Sequence, residues 1–166
     1  LGAIMEHFQS GQPVMADGAM DTSGGGHADH DGEDGEIVGC ATGSGMDDQH
    51  AEFALPLSAA GYDLPTTFYF GESVLLPDWR GKGIGHAFFD AREAHAIAHS
   101  YKRACFCAVE RPDDHPQRPE TYSPLDSFWQ SRGYRKLPGV TAHFTWPEAP
   151  GEPEVNHTMV YWLRQF

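Results

Sequence analysis

Gly81, Gly83 and Gly85 stand at alternate positions, directly after the apolar run Val74-Leu75-Leu76-Pro77 and directly before a stretch with helical spacing. Glycine lets the main chain approach a ligand closely and leaves amide groups facing outward. A helix start adds N–H groups without partners and the positive end of the helix dipole. Together these features suit an anion, a pyrophosphate above all. Val74–Gly85 is therefore read as a phosphate cradle. A tight structural turn that holds nothing is the alternative at this point.

Two familiar phosphate patterns do not fit. The P-loop needs Gly-Lys followed by Ser or Thr, whereas Lys82 is followed by Gly83. The dinucleotide fingerprint needs a glycine three positions after Gly85, where Phe88 stands.

The elements that must position this cradle follow from periodicity. Thr67–Leu76 is dense in aromatic and aliphatic residues and closes at Pro77, which predicts a central strand. Apolar residues at Ile84, Phe88, Ala91, Ala94, Ala98 and Tyr101 predict a helix over Ile84–Tyr101. Arg103–Val109 reads as a second strand, and Pro112, Pro116 and Pro119 make residues 110–122 a loop, expected to shape access to a neighbouring site. Ser123–Arg132 reads as a helix, with Ser123 as N-cap, Pro124 in the first turn and Gly133 as the stop. Val140–Trp146 and His157–Leu163 complete a hairpin across Pro147–Pro153. Upstream, Ile4–Phe8 reads as a helix end and Pro13–Met15 and Glu36–Thr42 as strands. Asp21–Gly35 reads as a mobile acidic loop, and Ser44–Pro65 as irregular with at most a short helical turn. The fold class is α/β, a mixed central sheet with flanking helices in one domain over residues 1–166.

Composition narrows the function. The formal net charge is −13, a field that repels phosphate backbones and disfavours nucleic acid while favouring a cationic acceptor. No apolar run is long enough to span a bilayer, so no membrane partner is expected. Three cysteines, Cys40, Cys105 and Cys107, have no disulfide-framework spacing, and Cys105 and Cys107 read as buried thiols on one strand face. Without a secretion signal, the expected location is the cytoplasm. The chain starts at Leu1, which suits processing or excision from a longer chain. His27–Asp34 carries metal-ligand types without ordered spacing, so no metal is expected.

Arg80-Gly-Lys-Gly-Ile-Gly85, after Val74-Leu-Leu-Pro77, closely resembles motif A of the GNAT acetyltransferase superfamily. Tyr122-Ser-Pro-Leu-Asp-Ser-Phe-Trp-Gln-Ser-Arg-Gly-Tyr134 is similar to the block on that family's fourth helix, Asn-x-x-Ala-x-x-Phe-Tyr-x-x-x-Gly-Phe. The resemblance runs from Glu36 to the C-terminus, and the family's first strand and helix are not recognisable before it.

The resemblance implies a cofactor, acetyl-CoA, and an acceptor, the primary amine of a small molecule or peptide. It implies that main-chain groups of Val74, Leu75 and Leu76 pair with the pantetheine arm. The pyrophosphate would lie on the amides of Arg80, Gly81, Lys82, Gly83, Ile84, Gly85 and His86. The Leu75 amide would face the oxyanion. Glu72 is the candidate base or proton relay, against a plain pairing with Arg or Lys, and Glu110 and His86 are further candidates. The family's usual acid, a tyrosine, is here Trp129, whose N–H is no usable acid. Tyr122 or Tyr134 would then take that role, or the thiolate leaves unaided, with Trp129 packed in the core and beside the cofactor. The analogy also points to a homodimer. A non-catalytic acyl-CoA-binding module and a purely structural domain are the competing functions.

Overall fold

Side-chain alternation sorts the central strands onto two buried faces. The computed structural model describes residues 38–118, 120 and 122–166. The features expected at Ile4–Phe8, Pro13–Met15, Asp21–Gly35 and His27–Asp34 lie outside them. Five strands form one sheet: β1 (Gly39–Gly45), β2 (Thr67–Leu75), β3 (Arg103–Val109), β4 (Arg135–Pro147) and β5 (Glu154–Gln165), in spatial order β1-β2-β3-β5-β4. Among the described residues three α-helices accompany them: α1 (Ala51–Ala59), α2 (Ile84–Ala98) and α3 (Asp126–Ser131). Phe68, Phe70, Ala104, Phe106, Val160 and Trp162 pack on one face with Phe89 and Ala96 of α2. Tyr69, Cys105, Tyr161 and Leu163 pack on the other with Phe53 and Leu57 of α1. The period-2 alternation of each strand produces this split, and it is the mixed α/β layer architecture expected from the sequence.

β2 and β3 are parallel neighbours only over Thr67–Tyr69 and Arg103–Cys105. Beyond those three pairs they separate, while β3 stays paired to β5 along its whole length. On its other side β2 runs antiparallel to β1, with one irregularity. Ala41 faces Ser73 and Gly43 faces Phe70, so β2 advances three residues while β1 advances two. That is a β-bulge, with Gly71 and Glu72 together opposing Thr42, and bulges bend the strand that carries them.

Several expected boundaries move for identifiable reasons. Ser44–Pro65 is more regular than expected, because α1 forms across Pro56. The proline removes one backbone donor, but Phe53, Ala54 and Leu57 are buried, and the Tyr161 hydroxyl donates to the Phe53 carbonyl at 2.6 Å. α2 stops at Ala98 rather than Tyr101. Ser100 turns left-handed at φ 65°, and the amides of Ser100 and Tyr101 bond the carbonyls of Ile97 and Ala96, a Schellman stop. α3 starts at Asp126, and its N-cap is Leu125, not Ser123. Gly133 does end it, at φ 86°. β4 begins earlier than expected, at Arg135, and its ladder slips between Lys136 and Thr141, where Pro138 supplies no donor.

Candidate active site

Five consecutive amides define the glycine turn. The chain leaves β2 through a 3-10 turn, Pro77–Trp79, in which the Arg80 amide bonds the Pro77 carbonyl at 3.1 Å. The amides of His86 and Ala87 both bond the Gly83 carbonyl, at 2.9 and 3.3 Å. Between them, the amides of Gly81, Lys82, Gly83, Ile84 and Gly85 have no partner among the described residues. Of the amides expected to act over Arg80–His86, the outer two, those of Arg80 and His86, are thus consumed by tight turns. Gly83 is the N-cap of α2 at φ 86°, and Gly81 has φ 72°. Both conformations favour glycine. A Cβ at either would meet nothing within 4 Å, so the space beside the turn is open. Ile84 alone in the turn is buried, against Phe88, Leu75 and Trp79, and this anchors the helix start. The Lys82 ammonium lies over the Trp79 ring at 4.6 Å, and the Arg80 Nε donates to the Leu75 carbonyl at 3.4 Å.

A cleft of about 570 Å³ opens below this turn, where β2 and β3 part. Phe70, Gly71 and Ser73 line it from β2, Phe106 and Cys107 from β3, and Phe128 and Trp129 from α3. The Leu76 amide donates to the Val38 carbonyl at 2.9 Å. Antiparallel strands direct alternate residues' N–H and C=O groups to opposite sides. The Leu76 amide therefore faces β1, as does that of Val74, whose partner is Cys40. The Leu75 amide and carbonyl face away from β1, toward the gap, and the Arg80 contact with the Leu75 carbonyl agrees. Of the three residues expected to offer pairing groups, only Leu75 turns its amide away from β1, and it is not among the residues that line the cleft.

Glu72 is half-buried between the cleft-lining Gly71 and Ser73. No arginine or lysine pairs with it among the described residues. Its partner is Thr42, whose hydroxyl accepts from the Glu72 amide at 3.0 Å and lies 3.3 Å from the Glu72 carboxylate. Arg92, which the sequence reading did not single out, lies in the cleft wall at 1 % exposure. Its guanidinium stacks over Phe70 at 4.3 Å, and its Nε and Nη1 donate to the carbonyls of Phe88 and Thr42. Burial lowers it to about 10. A glycine inside a strand pattern is a signal of a bulge, so Gly71 is the residue that could have revealed this arrangement.

The other expected residues fall in different places. Tyr134 does not reach the cleft. It is 2 % exposed, and its hydroxyl donates to Glu93 at 3.0 Å. Burial, then the Glu93 carboxylate, pushes its ionisation well above the usual tyrosine range. An acid role for Tyr134 therefore conflicts with its core position. Tyr122 is exposed under Arg118 and lines a second cavity of about 500 Å³ at the end of β3. Trp129 lines both cavities and packs at 5.0 Å on both Phe106 and Trp162. The proline loop borders the second cavity and is tied to the β4–β5 turn by Arg111 and His115 on Glu148. Glu110 pairs with Lys136, and the His86 Nδ1 accepts from Arg132 at 3.1 Å. Cys107 in the cleft is pushed up to about 12, chiefly by burial, which keeps it a protonated thiol.

Residues 5–119 match the family model described as the acetyltransferase (GNAT) family. That match extends N-terminal to Glu36 and stops short of the Tyr122–Tyr134 block. No curated protein matches the chain by sequence. Among solved structures, the chain is similar to a GCN5-related N-acetyltransferase from Kribbella flavida, at 19 % identity and TM-score 0.46, covering 80 % of this chain and 62 % of that one. It is similar to the IAA acetyltransferase from Bacillus cereus ATCC 14579, at 12 % identity and TM-score 0.49, covering 80 % and 72 %. It is also similar to the ribosomal-protein-alanine N-acetyltransferase from Brucella melitensis, at 10 % identity and TM-score 0.48, covering 80 % and 64 %. The chain thus spans less than two thirds of the Kribbella and Brucella structures.

Proposed function

The chain belongs to the acetyltransferase (GNAT) family, and from that membership we propose that it transfers an acetyl group from acetyl-CoA to a primary amine by direct attack. The observation that carries the reading is the run of unpartnered amides from Gly81 to Gly85 at the head of the cleft. Five donors in one turn, at the positive end of a fifteen-residue helix, fit a diphosphate. The gap between β2 and β3 fits an extended arm that can pair with a strand edge.

Acetyl-CoA supplies the acyl group already activated as a thioester. The amides of Gly81–Gly85 hold its diphosphate. The Leu75 amide faces the gap and donates to the acyl carbonyl oxygen as negative charge gathers there. An alkyl amine is protonated near pH 7 and must lose a proton to attack. Glu72, held by Thr42, takes that proton directly or through water. As the C–N bond forms and the C–S bond breaks, the second nitrogen proton passes to water and the thiolate, a good leaving group, departs without a side-chain acid, which accords with Trp129 in the usual tyrosine position. Cys107, held as a thiol, does not compete as a nucleophile. The net charge of −13 favours a cationic acceptor.

A second reading, a module that binds acyl-CoA without turnover, draws support from the absence of a tyrosine lining the cleft among the described residues. Calorimetry with coenzyme A, together with thiol release from acetyl-CoA over a panel of primary amines, separates the two. Heat plus turnover supports the transferase. Heat without turnover on any amine supports the module. No heat overturns both.

A further inference from the structure

Resting on the assignment of Glu72 above, we propose that Thr42 and Arg92 are positioning residues: together they clamp the β2 bulge and so fix the carboxylate of Glu72. A bulge takes an amide and a carbonyl out of the strand ladder, and each needs another partner. Here the Glu72 amide goes to the Thr42 hydroxyl at 3.0 Å, and the Thr42 carbonyl receives the Arg92 Nη1 at 3.3 Å. The same hydroxyl lies 3.3 Å from the Glu72 carboxylate and donates to it. One side chain on β1 thereby holds both the backbone and the acid group of Glu72.

The surroundings are shaped for this arrangement. A Cβ at Gly71 would lie 2.5 Å from the Thr42 Oγ1, so the hydroxyl fills the space a side chain there would need. Arg92 is buried against Phe70 and Phe89, at 4.3 and 5.1 Å, and forms no ion pair among the described residues. A buried guanidinium without a carboxylate partner is costly. Its polar contacts are the Phe88 carbonyl in its own helix and the Thr42 carbonyl, so Nη1 is the donor that reaches the bulge. Replacing it with an apolar side chain would orphan the Thr42 carbonyl. Three elements, β1, β2 and α2, therefore converge on the aim of one carboxylate, at the point where β2 turns away from β3.

The test compares Thr42→Val, close to isosteric but lacking the hydroxyl, with Thr42→Ser, which keeps it. Thr42→Val is expected to lower kcat about ten- to hundred-fold, as for a misplaced catalytic group, with coenzyme A affinity unchanged by calorimetry. Thr42→Ser is expected to restore most of that loss. Hydrogen exchange at the Glu72 amide is expected to accelerate in Thr42→Val and not in Thr42→Ser, whether or not an acceptor is known. Wild-type kcat in Thr42→Val, a loss in Thr42→Ser as large as in Thr42→Val, or unaltered exchange at Glu72 would each overturn the clamp. Should Thr42→Val not fold, Arg92→Lys carries the test. Its single ammonium cannot serve both carbonyls in the same geometry, so kcat should fall while coenzyme A affinity holds. Unchanged kcat there also overturns the clamp. Wild-type protein that turns over no amine overturns the transferase reading and, with it, the catalytic part of this inference; the exchange result still decides the clamp itself.

Discussion

Tyr134 donates its hydroxyl to the Glu93 carboxylate at 3.0 Å beneath α2. Glu93 also accepts from Arg132, just past α3, at 3.0 Å and from Arg164, on β5, at 2.7 Å. A residue that the family resemblance offers as a catalytic acid is thus a structural donor. Its carboxylate partner joins α2, the end of α3 and the sheet.

Tyr134→Phe should therefore keep most of the turnover and lose about 1–2 kcal/mol of stability. Burial and Glu93 raise the Tyr134 ionisation in the folded protein above its ordinary value of 10.0. Its contribution is then full below pH 10 and is lost as pH rises beyond it. Denaturant titrations from pH 7 to 11 should show a shallower alkaline loss in Tyr134→Phe than in wild type. A large drop in kcat with intact stability would return Tyr134 to the reaction.

Glu93→Gln should be the more damaging change. Arg164 would lose its carboxylate partner, and the largely buried Arg132 would keep only Asp90. The expected cost is about 2–4 kcal/mol, read as a lowered denaturation midpoint with an unchanged slope.

Glu72→Gln should lower kcat by about a hundred-fold, as for loss of a general base. The heat of coenzyme A binding should be unaltered, because the amide run lies beyond the bulge. Equal kcat in variant and wild type would move the proton transfer to another group.

Gly83→Glu should abolish the thermal stabilisation that coenzyme A confers. A Cβ there would meet no protein atom within 4 Å, so the expected loss would come from bulk and negative charge at the proposed diphosphate site. It also reflects the left-handed backbone at φ 86°, which costs a non-glycine residue about 1–2 kcal/mol. An unchanged shift would place the diphosphate elsewhere.

Cys107 should resist alkylation at pH 8, although it lines the cleft. With ionisation pushed up to about 12, its thiolate fraction there is roughly one in ten thousand. Mass spectrometry after iodoacetamide treatment should find the exposed Cys40 labelled first. Rapid labelling of Cys107 would reopen a covalent route.

Local signals carried far in this chain. Apolar density placed β2 and β3 nearly residue for residue, because both strands are buried and their side chains pack on two faces. The glycine spacing located the turn, since left-handed backbone at Gly81 and Gly83 requires that residue type. α1 was less legible. Pro56 argues locally against a helix, and the contacts that overrule it come from Tyr161 on the last strand, 108 positions away from Phe53.

By itself the sequence determined the layer architecture, the position of the glycine turn and the family. Each follows from periodicity or from residue types within a few positions of one another. Tertiary structure decided which amides in the turn stay unpaired, that Leu75 rather than Leu76 faces the gap, and that Tyr134 lies in the core. It also brought Arg92 and Thr42 together behind Glu72, fifty residues apart from each other in the chain. Those outcomes depend on strand register and on a one-residue bulge. Register is a property of two strands at once, and no single stretch of sequence contains it.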